Sequence, residues 1–328
     1  MTSSRLFPLV TTFLIFIFAY ALCYAQFPNI LSTRVIGNLF TDNAFLGIAA
    51  VGMTFVILSG GIDLSIGSVI AFTGVFLAVS MGEWGVPPLV AIAILLVITT
   101  AFGAVMGAMI HYLAMPSFIV TLAGMFFARG IAFLLSTDSV PIRVELYDTL
   151  QSLYFRMPGG GRLSFIGMTM LAVFVLGIVV AHFTSFGRNV YAIGGNRQSA
   201  ELMGVPIART TISIYAVSSF LAGMAGIVFS LYTSAGYSLA AVGVELDAIA
   251  AVVIGGTLLT GGSGYVAGTL LGILIMGLIQ TYIVFDGTLS SWWTKIVIGL
   301  LLFSFIALQR GLVWLSARRR GASAAIPA

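Results

Sequence analysis

An all-α integral membrane fold with about ten spanning helices is what this sequence predicts, and three observations predict it. Hydrophobic residues make up 60% of the 328-residue chain and charged residues 7%, against roughly 25% charged in a soluble domain. The apolar residues fall in long runs, and ~20 helical residues cross a hydrocarbon layer ~30 Å thick. Arginines gather in alternate loops, as membrane orientation requires. Backbone amides in lipid must be satisfied within their own segment, so the runs are helices rather than open strands.

Taken in order, ten runs can be cut out: Phe7–Ala25, Ala44–Ser59, Leu64–Met81, Val86–Ile110, Pro116–Leu135, Ser164–Phe183, Thr210–Leu231, Val244–Leu259, Val266–Phe285 and Ser290–Leu308. The first follows Arg5 and ends in Ala21-Leu22-Cys23-Tyr24-Ala25, which has something of a signal peptide. Its apolar core of ~19 residues exceeds the 7–15 of a cleaved signal, so it reads as a retained span. One membrane domain thus covers residues 1–309, and residues 310–328 form a short basic tail. Two connectors are long. Residues 136–163, with Pro141, Pro158 and Gly159-Gly160-Gly161, predict an irregular but structured cap. Residues 184–209 are polar, basic and glycine-punctuated, and long connectors in a compact domain are commonly functional.

Loop charge orients the chain. With the N-terminus cytoplasmic, that side holds Arg5, Arg188, Arg197, Arg209, Arg310, Arg318, Arg319 and Arg320 against Glu201 alone. The other side holds Arg34, Arg143, Arg156 and Arg162 against Asp42, Glu83, Asp138, Glu145, Asp148, Glu245, Asp247 and Asp286. Both termini are then cytoplasmic. The stretch Val56–Leu64 resembles Val252–Leu259, and five spans per half would make a five-plus-five inverted repeat, a common way to build a transport path.

Much chemistry is absent. The sole lysine is Lys295, so no Gly-x-x-x-x-Gly-Lys phosphate loop exists. Neither a Gly-x-Ser-x-Gly elbow nor a His-x-x-Glu-His arrangement occurs, so no catalytic residues are expected. Cys23 stands alone, and His111 and His182 have no acidic cluster beside them; no metal and no cofactor are expected. The pI near 9.4 reflects arginines sorted by membrane side rather than a basic face for nucleic acid. An ion-driven carrier needs titratable groups in its spans; Asp63, Arg129 and Lys295 are the candidates. Asp63 follows Gly60-Gly61 and can cap the third helix or take part in the substrate path. Arg129 reads as a structural residue that snorkels or pairs with an outer acid.

The strongest positive signal is Gly194-Gly195-Asn196-Arg197-Gln198-Ser199-Ala200-Glu201-Leu202-Met203-Gly204-Val205. Asn196 suits an N-cap and Gly204 a left-handed stop. Ala200 and Met203 share a face at i, i+3, with Leu202 flanking it. A helix of two turns is marginal alone, so it either docks on a partner or rests on its own membrane domain.

This segment resembles the coupling helix of ABC-importer permeases of the ribose and branched-chain amino acid class. The stretch Val51–Ser68, including Gly60-Gly61-Ile62-Asp63-Leu64-Ser65, is similar to the signature of the sugar branch, as is Leu246–Gly272. Arg34–Leu46 and Asp286–Lys295 resemble one of the two permeases of the bacterial galactofuranose importer. The resemblance implies a chain that is not itself an enzyme, forming half of a sugar pathway driven by alternating access. Its partners would be an ABC ATPase subunit, a second and different permease subunit, and a periplasmic sugar-binding protein meeting the outer loops, all at the lipid bilayer of a bacterial inner membrane. Gly195, Asn196, Ala200, Leu202, Met203 and Gly204 would be the ATPase contact. Thr54, Phe55 and Ser59, on the span leading into Asp63, are path candidates with it. The stretches Gly103–Gly107 and Gly268–Gly272 allow close helix approach, within the chain or at a moving interface. Two other readings stand beside this one: a permease of the same class for another sugar or a branched-chain amino acid, and a stand-alone ion-coupled carrier.

Overall fold

The computed structural model describes residues 7–290 and 292–323, so Arg5, Ser291 and residues 324–328 lie outside the described residues. Helix α1 (Phe7–Gln26) leads through a 3-10 turn (Pro28–Leu31) into α2 (Thr33–Asp42), α3 (Ala44–Leu58), α4 (Ile66–Gly82), α5 (Pro88–Tyr112) and α6 (Ser117–Leu135). The cap follows as β1 (Val140–Pro141), α7 (Glu145–Ser152), β2 (Tyr154–Arg156) and β3 (Arg162–Ser164). Then come α8 (Phe165–Phe183), α9 (Ser185–Gly195), α10 (Arg197–Leu202), α11 (Ile207–Thr233), β4 (Ala235–Gly236), α12 (Val244–Ile254), α13 (Val266–Asp286) and α14 (Trp292–Ser323).

Every predicted apolar run is helical, but the runs are unequal. Six helices are long and apolar enough to cross a membrane, and α2 with α3, bent by 55°, would make a seventh. Helix α4, the Trp292–Ala307 part of α14 and α12 are shorter. Both α3 and α12 stop at glycine breaks, which spend part of the apolar run on non-helical chain. At the other end, α14 continues to Ser323, so the first part of the predicted tail extends the last helix.

Helix α3 forms the centre. Every residue from Leu46 to Leu58 is buried, and α11, α12 and α8 surround it. Helix α5 packs on α11 through Gly103 and Gly107, where an added Cβ would meet Tyr215 O at 2.2 Å and Ile212 Cα at 2.8 Å. Gly268 and Gly272 serve the α12–α13 contact likewise, facing Gly255 O at 2.1 Å and Ala251 O at 2.0 Å. Both glycine stretches are therefore packing sites within the chain. Around the periphery, α1, α5 and α6 expose apolar side chains such as Phe18, Leu89, Phe126 and Leu134, as lipid-facing helices do.

The cap is more regular than its composition suggests. Strands β2 and β3 pair antiparallel, and β1 pairs with β4. Tyr147 of α7 is buried, with its hydroxyl 2.8 Å from Ser230 Oγ. Arg156 and Arg162 lie over the Tyr154 ring at 5.9 and 4.6 Å. The hydrogen bond from Arg156 and the charges of both guanidiniums hold the Tyr154 phenol below its ordinary pKa. Arg129 has the structural role expected of it, though on carbonyls: its Nη1 donates to Ser238 O and Ala240 O at 2.6 and 2.7 Å.

Candidate functional site: two helix breaks and a short helix

Helices α3 and α12 end in the same way. After α3, Gly60 is left-handed at φ +82°, Gly60 N donates to Ile57 O and Gly61 N to Val56 O. After α12, Gly256 is left-handed at φ +91°, Gly256 N donates to Val253 O and Thr257 N to Val252 O. Each is a Schellman stop, in which a glycine without Cβ takes the left-handed turn and two orphan carbonyls are satisfied. The equivalence falls on the residues whose sequences resemble each other, Val56 with Val252 and Gly60 with Gly256. Gly262 N donates to Leu58 O at 2.8 Å, so the two stops meet at one end of the molecule. At the opposite end of both helices, Asn43 and Asp247 line one cleft. Helices α3 and α12 thus run the same way, and their likeness relates two parallel elements rather than the two halves of an inverted repeat.

The first break re-enters the body. Ser218 of α11 packs against Gly52, where a Cβ would lie 3.1 Å from Ser218 Cα, and its hydroxyl donates to Asp63 Oδ2 at 2.7 Å. Gly52 is six residues before Leu58, ~9 Å along the helix, so the segment 61–65 climbs back beside α3 before α4 begins. Asp63 is fully buried. Its Oδ1 accepts from Ser65 N at 3.0 Å and Ser65 Oγ at 2.6 Å. The helix begins at Ile66 with Ser65 in the cap position, so Asp63 is not the N-cap; it holds the cap residue and ties it to α11. Ile62 N donates to Ser117 Oγ at 3.3 Å, fixing the break to α6 as well.

The short helix has the caps its sequence predicts. Asn196 Oδ1 accepts from Ser199 N at 2.8 Å. At the other end Gly204 is left-handed at φ +79°, with Gly204 N donating to Glu201 O and Val205 N to Ala200 O. Its faces differ from the expected ones. Ala200 is 0% exposed and packs with Ile193 and Ile207, whereas Leu202 and Met203 are 90% and 72% exposed. Ala200 therefore anchors the helix to its own domain, and the outward apolar pair is Leu202 with Met203. Gly195 meets nothing within 4 Å, but Gly194 has no room at all: a Cβ there would lie 1.8 Å from Leu58 O and 2.5 Å from Gly262 N. A Cβ on Gly261 would lie 2.7 Å from Gly60 N, and one on Gly262 2.7 Å from Gly195 Cα. Three glycine pairs, 60–61, 194–195 and 261–262, thus bring the neck of the short helix against both breaks, backbone on backbone. Arg197 Nη2, 3.2 Å from His111 Nδ1, ties the same helix to α5.

Beside this junction lies a cavity of ≈ 530 Å³, lined among others by Ser59, Gly60, Gly61, Ser117, Arg197 and Tyr215. Of the four path candidates only Ser59 reaches it. Thr54 is buried, donating to Ala50 O at 2.6 Å and lying 2.8 Å from Thr269 Oγ1, so it joins α3 to α13. Phe55 is buried against Phe186, with centroids 5.7 Å apart. Both face helix contacts because α3 is enclosed on all sides. The role of Gly194 was missed in the sequence; the repeated Gly-Gly pairs were the available signal.

Comparison with known proteins gives the family. The permease component of the branched-chain amino acid transport system matches residues 35–306. The chain is 64% identical over 316 residues, 96% of each chain, to the inner membrane ABC transporter permease protein YjfF of Escherichia coli strain K12. It is 40% identical to the fructose import permease protein FruG of Bifidobacterium longum, over 94% of this chain and 92% of that one. It is 39% identical to the ribose import permease protein RbsC of Haemophilus influenzae, over 77% and 78%. No solved structure matches. With its matched region covering the helices from α3 to α13, both breaks and the short helix, the chain belongs to the branched-chain amino acid transport system permease family: it is an ABC transporter permease of the inner membrane, and ATP hydrolysis resides in a separate subunit.

Proposed function

We propose that this chain forms half of the translocation pathway of an ABC sugar importer, with galactofuranose as its sugar. Both termini are cytoplasmic, ten segments traverse or enter the bilayer, and the other half of the pathway is a different permease subunit. The observation that carries this reading is the short helix α10. It offers Leu202 and Met203 outward while its neck, at Gly194, abuts both helix breaks. An ATPase gripping this helix would move the two breaks together, and the cavity beside them would open or close. The sugar assignment is supported by the relatives named for fructose and ribose import and by the galactofuranose-like stretches Arg34–Leu46 and Asp286–Lys295. The cap 136–163, with its exposed Arg156, faces the periplasmic binding protein.

Co-expression with the ATPase and binding protein tests the reading. The pair L202E/M203E leaves the anchor Ala200 intact, and is expected to abolish ATPase co-purification and ATP-driven galactofuranose uptake while the chain remains folded. Normal assembly and uptake by this variant would remove α10 from the coupling role. Uptake of ribose or fructose in place of galactofuranose would reassign the substrate within the class. Uptake by this chain alone in liposomes, driven by an ion gradient without ATP, would replace the reading with that of a stand-alone carrier.

A further inference from the structure

At the end of α3 remote from the short helix, ~22 Å away for fifteen residues, the molecule holds a second cavity. It measures ≈ 440 Å³ and lies between the α2–α3 bend, the end of α11, the start of α12, α13 and α14. Ligand pockets typically span ~300–1,000 Å³ and combine apolar walls with a few placed polar groups.

The polar lining is unusual for a chain with 7% charged residues. Asp42 accepts a hydrogen bond from the Tyr232 hydroxyl at 3.2 Å. Lys295 Nζ bridges both carboxylate oxygens of Asp247 at 2.7 and 2.6 Å. Asn43 is buried and spends its amide N–H on Leu39 O at 2.9 Å. Gly277 permits this, because a Cβ there would lie 2.4 Å from Asn43 Nδ2. Gln280 projects from α13, and among the described residues no hydrogen bond holds its amide. A smaller cavity of ≈ 140 Å³ borders the same Asp42, Asn43 and Gln280.

We propose that this cleft binds an uncharged polyhydroxylated ligand of monosaccharide size. Its amides donate and accept, its carboxylate accepts, and the Tyr232 and Phe45 rings line it among the apolar groups; the hydroxyl groups and C–H surface of one sugar ring match that set. Charge selects against anions: the one cation, Lys295, is already neutralised by Asp247, and Asp42 remains. The inference rests on the permease reading above for the side of the membrane, since the cleft faces the periplasm only if α10 faces the cytoplasm.

The test uses the complete complex, with ATPase, second permease and binding protein, in proteoliposomes. Cys23, the single native cysteine, is replaced in C23S, and T294C is introduced at the cleft wall. V284C, also on the wall, is the second choice if the first fails to assemble. A charged, membrane-impermeant maleimide labels the new cysteine in the presence of D-ribose, D-galactose or D-galacturonate. A neutral sugar at about twice its Kd is expected to slow labelling roughly threefold, because the free fraction falls as 1/(1 + [L]/Kd). Galacturonate should leave the rate unchanged, as should any sugar at W84C, an exposed position outside the cleft. Adding Q280L should remove the protection without changing complex assembly or its unfolding temperature. Protection by no neutral sugar, equal protection at W84C, or protection that survives Q280L overturns the proposal. Loss of ATP-driven uptake with protection intact would instead strike the permease reading and leave the cleft standing.

Discussion

The two helix breaks start alike and diverge within four residues. After its Schellman stop the first break carries a carboxylate, Asp63, and three donors from Ser65 and Ser218 fix it to α4 and α11. The second break carries no charge. It spends eleven residues, 255–265, with left-handed glycines at 256, 261 and 262. It is held at its own backbone instead: Gly262 N donates to Leu58 O, while Ile254 O and Gly264 O accept from the Thr12 and Tyr191 hydroxyls at 3.0 and 2.8 Å. The carbonyls of the equivalent residues Leu58 and Ile254 thus take partners from different places. The first break offers a side chain of its own, Asp63, to its neighbours, whereas the second offers its backbone and packs through glycines. The difference teaches that one kind of helix stop can be fixed in two ways, by a buried carboxylate that gathers donors or by bare backbone that neighbours can reach.

The hardest challenge to this picture is Gly194→Leu. The nearest backbone atoms lie at 1.8 and 2.5 Å from an ideal Cβ, and overpacking of about 1–3 kcal/mol is the usual cost where neighbours can yield. Backbone neighbours yield less, so the expected result is a large fall in unfolding temperature and no uptake. Gly195→Ala, which meets nothing within 4 Å, should unfold like the parent, and thermal melts of the pair separate the two cases. Next comes Asp63→Leu, which strands three donors at ~1–3 kcal/mol for each one left unsatisfied. Asp63→Asn keeps an acceptor for Ser65 and should lose clearly less in the same melt. Gly60→Ala and Gly256→Ala ask whether the two stops are equivalent: each puts a Cβ into a left-handed turn at ~1–2 kcal/mol, and equal losses are expected. Unequal losses would show that the shared geometry hides different loads. The smallest loss is that of Thr257→Val. Among the described residues the buried Thr257 hydroxyl has no partner, so removing it should not lower stability and relieves a desolvation cost of ~1 kcal/mol, opposite in sign to Thr54→Val, which breaks the bond to Thr269 and should cost ~1 kcal/mol.

The helices were legible in the sequence because an apolar run of twenty residues has only one way to satisfy its backbone in lipid. The stops of α10 were legible because Asn196 and Gly204 act through local bonds. The direction of Ala200 was not, since a small apolar residue suits an outward groove and an inward anchor equally well; only Ile193 and Ile207, from neighbouring elements, decide it. The same holds for Thr54, whose partner Thr269 lies 215 positions away. Gly194 could be read as a turn residue, but its contact with Leu58 and Gly262 is a property of three segments at once. Gln280 carried a faint signal that passed unused: a lone amide deep in an apolar run.

The glycine junction also dictates an order of assembly. It needs residues 58–61, 194–195 and 261–262 together, so a nascent chain cannot close it until Gly262 has been added. Until then α3 must wait in the bilayer without α12 around it. An apolar helix can wait there at little cost, but Asp63 cannot stay long without Ser218, which is supplied by α11. Arrival of α11 therefore marks the point in synthesis when the first half stops being a loose set of inserted helices and becomes a folded one.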